Sequence, residues 1–387
     1  MLMKRTRSML FVSLAALIVL ISACGGTSTS GGSGANSGQQ SNSVQNSHAS
    51  STQGGAAEQG ASNSQPQELP TATFALTVET LSYGPLFIAV EEDYFKEEGV
   101  DLKFVQVDGG APAVQALVGG SVQFAALDSG GINQANDKGV DFIGIQSNVN
   151  KLTMDLVLSN EAIQRIGIDR SAPIEERLQA LKGLTIGITG PGAATDTFTR
   201  YYLRQAGLTE DDVKIIAIGG GPSLAAALKQ GQIDGFMLSP PQPQIVEADG
   251  TGQIFIAASQ GDVPDLDIFP YEIMATRRSY AKENPEIVKA VATAISRANN
   301  LMLDHPEEAL AVLQRRFRTV EPDILKSAVE AVTAAVPRDG TMTKEGWDVA
   351  VKIHKGANMI TQDLDTQEGL LWTNEYVSDL NGRSRPR

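Results

Sequence analysis

The 387-residue chain holds one cysteine, three histidines and only 5% aromatic residues. A single cysteine excludes a disulfide framework within the chain. His48, His305 and His354 have no metal-ligand spacing with one another or with the cysteine, so no metal and no cofactor is expected. Catalytic signatures are missing as well. There is no Gly-x-Ser-x-Gly elbow. The turn Gly190-Pro191-Gly192-Ala193-Ala194-Thr195 lacks the lysine of a phosphate-binding loop and the third glycine of a dinucleotide fingerprint. No catalytic residues are assigned, and the chain is read as a non-enzyme. Basic residues number 31 against 45 acidic ones, for a net charge of −14. Such a chain is a poor partner for nucleic acid. Glu91, Glu92, Asp93, Glu97 and Glu98 read as a solvated helix face.

What is present begins at the N-terminus. Lys4, Arg5 and Arg7 precede an apolar run over residues 9–21, shorter than the ~20 residues a membrane span needs. Ile21-Ser22-Ala23 then leads into Cys24-Gly25-Gly26. This pattern resembles the signal peptide and lipobox of bacterial lipoproteins. The resemblance implies that residues 1–23 are removed and that Cys24 carries lipid. The protein would then be extracytoplasmic, anchored to the bacterial cell membrane. An ordinary cleaved signal with an incidental Cys24, or an N-terminal anchor helix, are the alternatives. Loss of the leader, with its three basic residues, takes the net charge to −17.

Residues 25–68 are almost wholly Gly, Ser, Asn, Gln, Thr and Ala. Too little apolar surface is available there to offset ordering entropy. Residues 24–71 are therefore expected as a disordered tether, with a reach of ~35–40 Å for a Gly-rich coil.

Beyond the tether, strands are expected at 74–78, 102–107, 122–127, 143–145, 154–158, 184–188, 213–218 and 233–238. Helices are expected at 85–96, 111–118, 195–205 and 224–229, followed by a mostly helical stretch over 285–354. Alternation of this kind argues for α/β architecture with mostly parallel sheets flanked by helices. The body is about twice the usual domain size, which favours two lobes. An internal repeat supports that division. Shifted by 111 positions, residues 101–110 overlay 212–221, and Ala116, Leu117, Gly120, Val122 and Leu127 fall on Ala227, Leu228, Gly231, Ile233 and Leu238.

Ligands of open α/β sheets bind beyond the carboxyl ends of the strands. Here those ends are glycine- and proline-rich turns that start helices, around residues 81–85, 108–112, 127–130, 189–195, 219–222 and 238–241. Several helix N-termini converging on one crevice would offer free N–H groups and partial positive charge. Acceptor-rich groups can bind there without a charged side chain.

At these residues the chain resembles the solute-binding proteins of ABC importers, in the group that binds nitrate, sulfonates, taurine and thiamine-pyrimidine precursors. The matching segments are 84–99, Gly109-Gly110 with Ala116-Leu117, 181–188 and 230–236. The resemblance implies a two-lobed, type II periplasmic-binding-protein-like fold. Residues 72–156 plus 272–380 would form lobe 1 and 157–271 lobe 2, with a cleft between them. The family's cleft positions fall on Ser82, Tyr83, Gly84, Gly109, Gly110, Asp128 and Ser129, and on Thr189, Gly190, Gly192, Thr195, Gly221, Ser239 and Pro240. Tyr83 would pack against the body of the solute. The implied partners are a small solute and an ABC permease in the membrane, and a monomer is expected. The solute class stays open. A sulfonate-, nitrate- or taurine-like oxyanion held by helix dipoles is one reading. A neutral heteroaromatic, such as a thiamine pyrimidine or flavin precursor, is another, because Asp128 would welcome an amine and oppose an anion. A pyrimidine-synthesis enzyme on the same fold and a solute-sensing receptor complete the set.

Overall fold

The computed structural model describes residues 68–107 and 109–377. The expected signal peptide, Cys24, the tether as far as residue 67, and residues 378–387 lie outside the described residues.

Ten strands form two five-stranded sheets. β1 (Thr71–Leu76), β2 (Asp101–Gln106), β3 (Phe124–Leu127), β4 (Phe142–Val149) and β10 (Glu272–Arg277) build the first, in the order β2-β1-β3-β10-β4. β5 (Asp155–Ser159), β6 (Thr185–Ile188), β7 (Lys214–Ala217), β8 (Gly235–Leu238) and β9 (Gly252–Ile256) build the second, in the order β7-β6-β8-β5-β9. Four strands of each sheet run one way and one runs against them. The reversed strand is β10 in the first sheet and β5 in the second. Each follows directly on a passage of the chain between the sheets, over 149–155 and 256–272. Helices cover the sheets, as expected when strands such as β3 (FAAL) and β8 (GFML) are buried along their whole length.

The repeat read from the sequence is a structural repeat. The Gly110–Gly119 helix is capped by Gly109 and leads to β3 at Phe124. The Gly221–Lys229 helix is capped by Gly220 and leads to β8 at Gly235. Gly235 is required by close approach, since a Cβ there would lie 2.4 Å from the carbonyl oxygen of Val157 on the neighbouring β5.

Several expectations need correction. The helix expected over 85–96 is two, Gly84–Glu91 and Tyr94–Glu97, broken at Asp93, whose φ is 55°. Its acidic face is not simply solvated. Glu91, Glu92, Glu97 and Glu98 meet Arg316, Arg315 and Arg297 of the C-terminal helices. Residue 71, assigned to the tether, starts β1 and pairs with Asp101. β9, β10 and the Ser129–Asp137 helix were not expected.

Candidate functional site

A cavity of about 690 Å³ opens between the two sheets. Its walls are the segments beyond the carboxyl ends of β1, β2, β3, β6, β7 and β8, closed by the residues at the amino ends of the reversed strands. Four helices begin on it, at Gly109-Gly110, Asp128, Ala193-Ala194 and Gly219-Gly220. The two halves meet at its rim. A Cβ on Gly110 would lie 3.4 Å from the carbonyl oxygen of Gly192 and 3.6 Å from Cα of Ala193. Below, the amide of Leu81 donates to the carbonyl of Pro240 at 2.7 Å.

The helix N-termini are not equivalent. The Asp128 carboxylate accepts from the amide of Gly131 at 2.8 Å, capping its own helix. Asp196 accepts from the amide of Gly192 at 2.9 Å and pairs with Arg200. Thr189 donates its amide to Thr195 Oγ1 at 3.0 Å. Only the Asp128 terminus is thus served by a side-chain cap, while Asp196 and Thr195 tie down the turn before the Ala194–Gln205 helix. The helices capped by Gly109 and Gly220 have no side-chain cap, and their first N–H groups remain open to a ligand.

The deepest wall is acidic. Antiparallel pairing of Ile273 with Leu127 carries Glu272 and Asp128 to facing positions, where neighbouring Cβ atoms lie ~4.5–5.5 Å apart. Both line the cavity. Burial pushes Asp128 up to about 6, against the opposing effect of the Gly131 amide. Burial and the neighbouring Asp128 charge push Glu272 up to about 8, while bonds from Ser82 and Tyr271 pull it back. The site therefore holds one carboxylate and one carboxylic acid near neutral pH. Tyr83 and Tyr271 stand beside them with phenols raised well above their ordinary value, chiefly by burial. Tyr83 Oη shares a hydrogen bond of 2.9 Å with Thr77, and Tyr271 Oη one of 3.1 Å with Ser239.

Behind this wall sits His354. It is fully buried, with Nδ1 3.0 Å from Asn133 Nδ2 and Nε2 over Gly130. Burial lowers it to about 3, so it is a neutral imidazole. Among the described residues no group of side chains could hold a metal ion, and no helix is long and apolar enough to cross a membrane.

Residues 65–315 match the NMT1-like family. The chain belongs to that family. Three curated relatives cover most of its body. A binding protein of Brucella abortus (strain 2308) is 25% identical over 67% of this chain and 77% of its own. The formylaminopyrimidine-binding protein of Halalkalibacterium halodurans is 22% identical over 69% and 78%. The 4-amino-5-hydroxymethyl-2-methylpyrimidine phosphate synthase of Candida albicans is 24% identical over 79% and 88%. Among solved structures, a Bordetella bronchiseptica protein superposes with a TM-score of 0.69 at 25% identity, covering 80% of this chain and 97% of its own. The alkanesulfonate-binding protein of Xanthomonas axonopodis superposes with a TM-score of 0.61 at 14% identity, covering 76% and 96%. The fold is the two-lobed periplasmic binding protein fold.

Within this NMT1-like fold, Tyr83, Gly109, Gly110, Asp128, Thr189, Gly192, Thr195 and Ser239 lie on the cavity wall. The other expected positions stand off it. Ser82 is fully buried and bonds Thr80 and Glu272. Gly84 starts a helix against Met302, and Gly221 sits against Gln242 and Leu238. Ser129 is buried in the first turn of its helix. Gly190 belongs to the turn but not to the wall, and Pro240 spends its carbonyl on Leu81. The sequence reading missed Thr77, Thr80, Met154, Tyr271 and Glu272. Glu272 is the important omission. It opens the buried strand EIMATR, and its place in the cavity comes from pairing with β3.

Proposed function

We propose that this protein is the extracytoplasmic solute-binding component of an ABC importer, and that its solute is an amine-bearing heteroaromatic rather than a simple oxyanion. The observation that carries the reading is the side-by-side placement of Asp128 and Glu272 in the cleft. An ionised Asp128 repels a sulfonate or nitrate and accepts hydrogen bonds from an exocyclic amine. Glu272, protonated, donates to a ring nitrogen. The open helix termini at Gly109-Gly110 and Gly219-Gly220 would take acceptor atoms at the far end of the solute. A cavity of about 690 Å³ lies within the usual range for small organic ligands and is large for nitrate. The formylaminopyrimidine-binding relative agrees with this chemistry. Delivery to a membrane permease follows from the importer reading. The relationship to a pyrimidine phosphate synthase keeps an enzyme in view. The cleft offers it a carboxyl pair, but the imidazole of His354 is not among the lining residues. We further propose that Cys24 is lipidated and tethers the body to the membrane.

A thermal-shift series tests the solute class. Aminopyrimidines should raise the melting temperature by mass action, while nitrate and alkanesulfonates should not. Stabilisation by alkanesulfonates alone would overturn the amine reading, and no shift with any small solute would count against the importer reading itself.

A further inference from the structure

The cavity is not confined to the gap between the sheets. Its wall takes in Gly110, Ala111, Val114, Gln115 and Val118 of the Gly110–Gly119 helix, which recur at the three- and four-residue spacing of one helix face. It also takes in Asp128, Gly131, Gln134, Ala135 and Lys138, a stripe of the same kind along the Ser129–Asp137 helix from one cap to the other. Both helices start on the cleft. The space between their lining faces therefore leads out of the cleft as an arm over the first lobe. At ~1.5 Å per residue, the helix axis from Asp128 to Lys138 is about 15 Å long.

The arm changes character along its length. At its inner end stand Asp128 and Glu272. Val114, Val118, Ala135 and Val140 give it an apolar wall, and Val118 is 40% exposed, a large apolar side chain left open to solvent. Gln115 and Gln134 contribute neutral amides. Lys138 stands at the outer end. Among the described residues that line the cavity, it is the only basic one. A lysine there suits the carbonyl end of its own helix. The adjacent acid does not claim it exclusively, because the Asp137 carboxylate accepts from the amides of Thr361 and Gln362 at 3.0 and 2.8 Å.

We propose that this arm is a subsite for a tail on the solute, and that the solute is two-ended: an amine-bearing ring at Asp128 and Glu272, an apolar spacer between the two helices, and an anionic group at Lys138. The opposite charges at the two ends of the arm fix the direction of binding. A reversed solute would set its anion against Asp128 and its amine against Lys138, and both contacts repel. Nitrate or a short alkanesulfonate would fill one end and leave the apolar wall wet. The inner end rests on the amine reading, and the arm can be probed apart from it.

Calorimetry on the full chain tests this with aminopyrimidine, the same ring carrying a hexanamide chain, and the same ring carrying a hexanoate chain. The amide-ended chain should tighten binding about tenfold over the bare ring, because its methylenes leave water. Exchanging the terminal amide for a carboxylate should add about threefold, as fits an exposed ion pair. That second gain should vanish in Lys138→Met, which keeps an apolar stem, and shrink at high salt. Octanoate, which has no ring, probes the arm alone. By methyl NMR it should shift Val114, Val118 and Val140, and shift them less in Lys138→Met. Tailed rings no tighter than the bare ring, or amide and carboxylate tails of equal affinity, would overturn the proposal and leave the amine reading standing. If no ring binds, the amine reading fails and octanoate decides the arm. Shifts confined to the three valines would uphold it, and unmoved methyls would overturn it.

Discussion

Asp128 and Glu272 face each other across β3 and β10, in the register set by the pairing of Leu127 with Ile273. Two acids at directly opposed positions repel when both are ionised. The lower is raised to about 6 and the upper to about 8. The cleft thereby carries one negative charge over a range of pH that includes neutrality.

That arrangement makes affinity for an amine-bearing ring dependent on pH. Binding should weaken as pH falls through about 6, where Asp128 takes up a proton. Asp128→Asn should cost about 1.5–3 kcal/mol, the worth of a hydrogen bond to a charged group. Calorimetric titration with an aminopyrimidine at pH 5 and pH 7.5 checks both. Equal affinity at the two values would remove Asp128 from the site.

Stability should move the other way. A carboxyl whose pKa is higher folded than unfolded stays protonated in the native state after the unfolded chain has lost its proton. Its contribution is full below the unfolded value and declines as pH rises to the folded one. For Glu272 that window runs from 4.5 to about 8, and for Asp155 from 3.8 to about 7. His354, lowered from 6.5 to about 3, opposes them, since its neutral buried form loses ground as pH falls below 6.5. The carboxyls outnumber it, so the protein should melt lower at pH 8 than at pH 5. Glu272→Gln should flatten the profile and gain on the order of 2–3 kcal/mol at pH 8. Thermal melts across pH read this directly.

Gly110 meets the Gly192 carbonyl across the mouth of the cavity. Gly110→Leu would place a side chain where the two halves touch, propping them apart. We expect solute affinity to fall at least tenfold, about 1.4 kcal/mol, with the melting temperature of the free protein little changed. Small-angle scattering should show a more extended particle. A compact particle with native affinity would contradict the contact.

Cys24→Ser should release the protein from bacterial membranes into the soluble fraction. Retention of the variant on membranes would disprove the lipid anchor.

Much of this was legible in the sequence for a local reason. The strand–glycine–helix–strand repeat is written in contiguous residues, so the shift of 111 that aligns residues 101–110 with 212–221 also aligns the caps Gly109 and Gly220 in space. Asp128 was visible because it follows a short apolar run. Glu272 was not, because its meaning comes from pairing with residues about 145 positions earlier, which no local pattern encodes. The Ser129–Asp137 helix was hidden by Gly130 and Gly131 in its first turn, poor helix formers that here leave room for His354 and the capping carboxylate. His354 itself showed nothing in the sequence to say it is fully buried, since burial of a helix face depends on what packs there.

The reversed strands also set a timetable for the growing chain. All five strands of the second sheet lie between residues 155 and 256, whereas the first sheet waits for β10 at Glu272–Arg277 to slot between β3 and β4. The lobe that begins first is the last that can close. Until residue 277 has emerged, β3 and β4 have an unfilled place between them, and the acid pair that defines the cleft does not exist. On the proposed extracytoplasmic location, a native state sealed only by a late segment would keep the early part open while the chain crosses the membrane.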